Sequence, residues 1–148
     1  MFNIIYYKPE NLPSQEEAAR IATFLHQELE QYGDPLVDIQ KALDYAQGKN
    51  GKPGGLIIVG QEDKQILSVV VINHTGMHGY IPENILVYIA TDRHQRGKGI
   101  GKKMMQAAIQ GVEGDIALHV EPDNPAKHLY ESLGFSNKYL EMRLKKGA

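Results

Sequence analysis

Arg96-Gly97-Lys98-Gly99-Ile100-Gly101 sets three glycines on alternate positions among basic residues, and Lys102 and Lys103 come next. Before this turn, Ile85 to Ala90 is six apolar residues of β-branched and aromatic type, the composition of a strand covered on both faces. After it, Ile100, Met104 and Ala108 recur at helical spacing. A strand feeding a glycine turn into a helix start is an anion site. The first N–H groups of a helix have no internal acceptor, and the helix dipole places partial positive charge there. Glycine lets that backbone approach a phosphate closely. The chemistry these residues suit is holding a pyrophosphate.

Two common cradles are excluded by spacing. A Walker loop has four residues between its first glycine and Gly-Lys-Ser/Thr, whereas Gly97 and Gly101 enclose three and Lys103 stands where the hydroxyl belongs. A dinucleotide fingerprint is G-x-G-x-x-G, and here the third glycine comes one residue early. Read alone, the turn is equally a glycine-rich connection with a solvated basic face.

The rest of the composition narrows the classes. The chain has 148 residues, 42% hydrophobic and 23% charged, enough for one globular domain with a core. Its net charge is −2, so the basic turn is local, and a dedicated nucleic-acid binder is disfavoured. There is no cysteine, which removes disulfides, a thiol nucleophile and cysteine-based zinc sites. No stretch has the length of a membrane span, and Met1-Phe2-Asn3-Ile4 lacks the layout of a signal peptide, so cytoplasmic residence is expected. His74 and His78 lie four apart without an acidic partner pattern, and no metal site is expected.

The elements that would position the turn can be taken in chain order. Asn3 to Tyr7 reads as a strand. Ser14 and Glu17 form a capping box, opening a helix with Ala18, Ile21, Ala22, Leu25 and Leu29 on its apolar stripe and Gly33 as its stop. Asp34-Pro35 reads as N-cap and first helical residue of a second helix running to about Gln47. Leu56 to Val59 and Ile66 to Ile72 make a hairpin. The organising strand and helix come next, then a strand from Asp115 to Val120. Asn124-Pro125 opens a helix ending at Gly134, and Lys138 to Leu144 alternates as a last strand. The order is β-α-α-β-β-β-α-β-α-β.

Two segments together resemble the GNAT family of N-acetyltransferases. Arg96-x-x-Gly99-x-Gly101 is similar to its acetyl-coenzyme A loop, and Asn124 to Phe135, with Leu129-Tyr130 and Gly134-Phe135, is similar to its second signature. The element order resembles its fold over nearly the whole chain. The resemblance implies an α/β architecture (α+β by some schemes) with a mixed, mostly antiparallel sheet of six to seven strands and helices on both faces. It implies a single acetyltransferase domain over residues 1–148. It also implies acetyl-CoA as co-substrate and a primary amine, on a small molecule or a protein, as acceptor. A homodimer is compatible with it. No nucleic acid, membrane or metal is called for.

The resemblance also distributes roles. The backbone of Arg96, Gly97, Lys98, Gly99, Ile100 and Gly101 would take the pyrophosphate, with Lys102 at its edge. Ile89, Ala90 and Thr91 would meet the thioester arm where the family's strand splays from its neighbour. Tyr130 matches the tyrosine that protonates the coenzyme A sulfur. Asn124 matches the asparagine that contacts the coenzyme A arm, although the spacing to Tyr130 is one residue short, so Asp123 competes for that place and Asn124 is equally an N-cap. An amine must lose a proton before it attacks, since its pKa is about 10.4. Many relatives use a strand glutamate for this; Ile85 stands at that position here. His119, whose imidazole can accept a proton, and Glu83 are the candidate bases, with solvent as a third route. Glu28, Glu30, Asp34 and Asp38 gather where a cationic acceptor would enter, or are simply a solvated helix end. Without cysteine, direct attack in a ternary complex is favoured over an acetyl-enzyme. A coenzyme A sensor without turnover is the alternative, and an RNA-backbone binder a remoter one.

Overall fold

Ser14 starts the first helix as its spacing requires. Its Oγ accepts a hydrogen bond from the Glu17 N–H at 3.0 Å, and α1 runs Gln15–Glu28 with Ile21, Ala22 and Leu25 buried. This computed structural model describes residues 1–147; Ala148, the last residue of the expected domain, lies outside them. The chain divides into two compact units, the first Met1–Leu118 and the second beginning at His119.

In the first unit, β1 (Asn3–Tyr7), β2 (Gly55–Glu62), β3 (Gln65–His74), β4 (Asn84–Thr91) and β5 (Ile116–Leu118) form one sheet in sequence order. The first four pair antiparallel, and β5 runs parallel to β4. The β2–β3 hairpin turns through Asp63 and Lys64, both at positive φ (51° and 66°), the handedness that suits a two-residue turn to strand twist. α1 and α2 (Leu36–Ala46) cover one face: Ile21, Leu25, Ile39 and Leu43 share a core with Ile57, Val59, Val69, Val71, Tyr88 and Ala90. α3 (Ile100–Gly111) buries Met104, Met105, Ala107 and Ala108. The Met104 sulfur lies so close to Gly60 that a Cβ there would meet it at 2.9 Å, which puts α3 against the alternate strand positions. Helices thus lie on both faces of the sheet.

In the second unit, α4 (Ala126–Ser132) ends in a Schellman motif. Gly134, at φ +100°, donates its N–H to the Glu131 carbonyl, and the Phe135 N–H reaches back to the Tyr130 carbonyl, both at 3.1 Å. The Tyr130 and Phe135 rings then pack at 5.9 Å.

Four expectations need correction. Among the described residues the sheet has five strands rather than six or seven, because residues 138–144 belong to no strand; alternation supplies a face but not a ladder partner. The element order among the described residues therefore ends at α4. The fifth strand is only Ile116–Leu118, which leaves His119 outside it. β4 is not covered equally on both faces: Asn84, Leu86, Tyr88 and Ala90 are buried, whereas Ile85, Val87, Ile89 and Thr91 are partly or largely exposed. Asp34 does not cap α2, whose N-cap position falls at Pro35 with no side-chain hydrogen bond. Its carboxylate instead accepts the Tyr88 hydroxyl at 2.5 Å.

Candidate functional site

The basic turn is held from below and from the side. The Asp92 carboxylate accepts the His94 N–H at 2.8 Å, and the Asp92 N–H donates to the Leu67 carbonyl at 2.8 Å. Gly97 and Gly99 sit at φ +82° and +81°, a conformation that glycine adopts without steric cost, and nothing lies within 4 Å of where their Cβ atoms would be. The first intrahelical bond of α3 joins the Lys103 N–H to the Gly99 carbonyl at 3.1 Å. The N–H groups of Ile100, Gly101 and Lys102 therefore have no acceptor within the helix, and no side chain caps it. This is the donor set a pyrophosphate needs: consecutive N–H groups at the positive end of a helix dipole, reached over two residues without side chains.

The basic side chains around it are partly spoken for. Lys98 Nζ donates to Gln95 Oε1 at 3.2 Å, and Lys103 Nζ lies 5.5 Å from the centre of the Phe2 ring. Arg96 donates to the Glu28 carbonyl at 3.2 Å and pairs with Glu30 at 3.4 Å. Arg93 gives both its backbone N–H (3.0 Å) and its Nε (3.4 Å) to Glu28 Oε1. Lys102 is exposed. The end of α1 is thus tied to the turn by two arginines.

Beside the turn, β4 loses its neighbour. The last β4–β5 pair is Leu86 with Leu118, so residues 87–91 have no strand partner on that side. The β3–β4 register also shifts by one here: Val71 pairs with Tyr88 and Ile72 with Leu86, leaving Val87 as an extra residue. A bulge of this kind bends its strand and re-aims the residues beyond it. Ile89, Ala90 and Thr91 lie on the unpartnered stretch. Ser68 braces them from β3, its hydroxyl donating to the Ala90 carbonyl at 2.9 Å and lying 3.0 Å from Thr91 Oγ1.

Glu83 is engaged elsewhere. Its carboxylate accepts the Asp115 N–H at 2.6 Å and the Gly79 N–H at 3.1 Å. These backbone hydrogen bonds, Asp115 first, hold its pKa below the ordinary carboxylate value, which makes it a poorer proton acceptor. Ile85, at the position of the family glutamate, offers no proton acceptor. The four acids proposed to draw in a cationic amine are each partnered: Glu28 and Glu30 by arginines, Asp34 by Tyr88, and Asp38 by Lys41 at 3.6 Å. Among the described residues, no group of three or more His, Asp or Glu side chains is placed to hold a metal ion.

In the second unit, Tyr130 is buried, and burial pushes its phenol up to about 12. The Asn124 carboxamide oxygen accepts the Ala126 N–H at 2.9 Å, while the N-cap position of α4 falls one residue later, at Pro125. His119 is exposed. Sequence reasoning missed Ser68, although a lone hydroxyl inside the apolar run Ile66 to Ile72 was a signal. It also missed the Val87 bulge and the Glu28–Arg93 tie, for which no local signal exists.

A family model described as Acetyltransferase (GNAT) domain matches residues 53–137. The chain belongs to the GNAT acetyltransferase family. The match takes in β2 through α4 and both signatures. Solved structures share the fold of this GNAT chain at low identity. A possible acetyltransferase from Clostridium difficile 630 is similar at 18% identity and a TM-score of 0.69, over 100% of this chain and 99% of that one. An aminoglycoside N-acetyltransferase, AAC(6')-Iy, in complex with CoA is similar at 14% identity and a TM-score of 0.68, over 100% and 96%. An aminoglycoside acetyltransferase from an uncultured soil metagenomic sample, in complex with trehalose, is similar at 17% identity and a TM-score of 0.64, over 99% and 96%. No curated protein matches the GNAT chain. No helix among the described residues is long and apolar enough to cross a membrane.

Proposed function

We propose that this GNAT chain is an N-acetyltransferase that moves the acetyl group of acetyl-CoA to a primary amine by direct attack. One observation carries the reading: the uncapped start of α3, with three N–H groups lacking an intrahelical acceptor, stands beside a strand whose last five residues are unpaired on one side. The first feature suits the pyrophosphate and the second suits an extended thioester arm lying along β4. Arg96 to Gly101 hold the phosphates, and Lys102 adds charge at the rim. Backbone groups of Ile89, Ala90 and Thr91 orient the arm and polarise its carbonyl. Bound acetyl-CoA supplies an activated acyl carbonyl and a thiolate leaving group. Tyr130 holds a proton for that sulfur, and a phenol with a pKa of about 12 stays protonated until donation is required. Asn124 shapes the approach to α4 through its bond from the Ala126 N–H. His119 is the remaining side-chain base, and solvent is the other route. The family match spans residues of both units, which supports reading the chain as a single acetyltransferase domain.

A second reading has one observation behind it. With Ile85 at the strand position and Glu83 committed to backbone N–H groups, no strand carboxylate serves as base. A coenzyme A-binding sensor needs none. Thiol release from acetyl-CoA across a panel of aminoglycosides, polyamines, amino acids, lysine peptides and peptide N-termini separates the two. Turnover with any amine supports the enzyme. Tight acetyl-CoA binding with no release from any of them leaves the sensor. Two of the similar structures are aminoglycoside acetyltransferases, so aminoglycosides lead the panel.

A further inference from the structure

Among the described residues, Asn73 carries a buried side-chain oxygen that nothing satisfies: its Oδ1 is closed to solvent and has no hydrogen-bond partner. Buried polar atoms are paired in the large majority of cases, and an unpaired carbonyl is destabilising. The polar groups around it are engaged with one another. His74 Nδ1 and Asn84 Oδ1 lie 2.8 Å apart, and the Thr75 hydroxyl donates to the Pro82 carbonyl at 2.9 Å. The Tyr45 hydroxyl donates to the His74 carbonyl at 2.6 Å. The end of β3 is thus well bonded, and the open acceptor belongs to Asn73.

Register places this oxygen. Val69 and Val71 lie in the core shared with α1 and α2, and Asn73 follows them at the strand period on the same face. Its partners across the ladders are Gly55 on β2, which brings no side chain, and Ile85 on β4. Ile85 is the position where the family resemblance expects a proton-accepting glutamate, and it offers only an alkyl group, 39% exposed. Side chains of a directly paired couple start about 4.5–5.5 Å apart at Cβ, so a group laid against Ile85 comes within reach of Asn73. Tyr88, which holds Asp34 at the α1–α2 connection, pairs with Val71 on the same face. We propose that Asn73 is an acceptor-binding residue, whose Oδ1 accepts an N–H of the primary amine lying against Ile85. This rests on the N-acetyltransferase reading and deepens it. A carboxamide oxygen accepts a hydrogen bond and takes no proton. Asn73 therefore orients the nitrogen, and the proton leaves to His119 or solvent. The bound amine supplies the donor that the free protein lacks at this oxygen.

The test compares full-length wild type, Asn73→Leu and Asn73→Asp, with kanamycin, putrescine and a lysine peptide as amine probes. Leucine has the shape of asparagine without its unpaired oxygen. Asn73→Leu should hold or raise Tm, by up to about 4 °C. The KM of every amine that turns over should rise roughly tenfold or more, and the KM for acetyl-CoA should not move. Asn73→Asp keeps an acceptor oxygen in place and should return the amine KM to within about threefold of wild type. A role confined to the fold would move Tm and leave both KM values alone. If wild type acetylates an amine and Asn73→Leu leaves its KM unchanged, the Asn73 assignment falls and the acetyltransferase reading stands. An Asn73→Leu chain that loses Tm, or an Asn73→Asp chain with an amine KM as high, also overturns the assignment. Acetyl-CoA binding by wild type with no turnover of any probe overturns both.

Discussion

The Tyr88 hydroxyl donates to the Asp34 carboxylate at 2.5 Å across 54 residues of sequence, tying the α1–α2 connection to the central strand β4. Burial first, then the Asp34 hydrogen bond and charge, push the Tyr88 pKa above the ordinary phenol value of 10.0. Asp34 is exposed and its carboxylate can be hydrated when the partner is lost. Tyr88→Phe should therefore cost about 1–2 kcal/mol in urea unfolding, toward the lower end for hydrogen bonds to charged groups. The raised folded-state pKa sets the sign of the pH dependence. The contribution is present in full below about pH 10 and is lost as pH rises through the higher folded value. Unfolding midpoints of wild type and Tyr88→Phe should converge on the alkaline side; a constant gap up to the point of alkaline unfolding would refute the linkage.

Gly99 separates backbone conformation from steric room. A methyl group there meets nothing within 4 Å, so the cost of Gly99→Ala comes from φ +81° alone, about 1–2 kcal/mol for a left-handed residue. The substituted residue directly precedes Ile100, whose N–H is the first of the α3 donors. Calorimetric titration with acetyl-CoA should show at least a roughly tenfold loss of affinity, more than a left-handed strain confined to the free protein explains. Unchanged affinity would remove the turn from the cofactor site.

Glu83→Gln distinguishes a structural carboxylate from a catalytic one. The variant should lower Tm while kcat stays near wild type. Because the folded-state pKa is depressed, the Glu83 contribution is present above the ordinary glutamate value of 4.5 and disappears as pH falls through the lower folded value. A large drop in kcat without loss of Tm would reinstate Glu83 as the base.

Tyr130→Phe should lower kcat by roughly 10²-fold, with a smaller change in the KM for acetyl-CoA. The wild-type phenol, pushed up to about 12, should give kcat no alkaline decline of its own below pH 10. A decline near pH 10 that vanishes in Tyr130→Phe would show an ordinary, solvated tyrosine. Gly134→Ala is the companion variant. At φ +100° it strains the turn that joins the Phe135 N–H to the Tyr130 carbonyl, so it should lower kcat indirectly while leaving the hydroxyl in place.

Local signals read well from the chain. The Ser14–Glu17 cap, the hairpin, the glycine turn and the Gly134 cap depend on residues a few positions apart, and each lies where its spacing put it; the start of α4 falls one residue past Asn124. What local pattern could not supply was the destination of a side chain. Asp34 had the sequence of a helix cap, yet a tyrosine far along the chain claims it. Glu28 and Glu30 looked like a solvated helix end or an amine trap and are taken by Arg93 and Arg96. Lys138 to Leu144 had the period of a strand without the neighbour that makes one. The Val87 bulge is a relation between two strands, and neither strand encodes it alone.

The order of the sheet also has a consequence for how the chain is made. Every strand pairs with the next one in sequence, and the longest wait is that of β1 for β2, which comes only after α1 and α2. The β2–β3 hairpin, closed by two residues, can form within microseconds, and β4 adds to it antiparallel as it emerges. Only the β4–β5 joint is parallel, and it requires α3 to cross before three residues can dock. The basic turn is therefore complete while its strand still awaits the last neighbour. The edge beside that turn, where we propose the acyl arm lies, gains its β5 neighbour only at residues 84–86 and only after α3 has crossed.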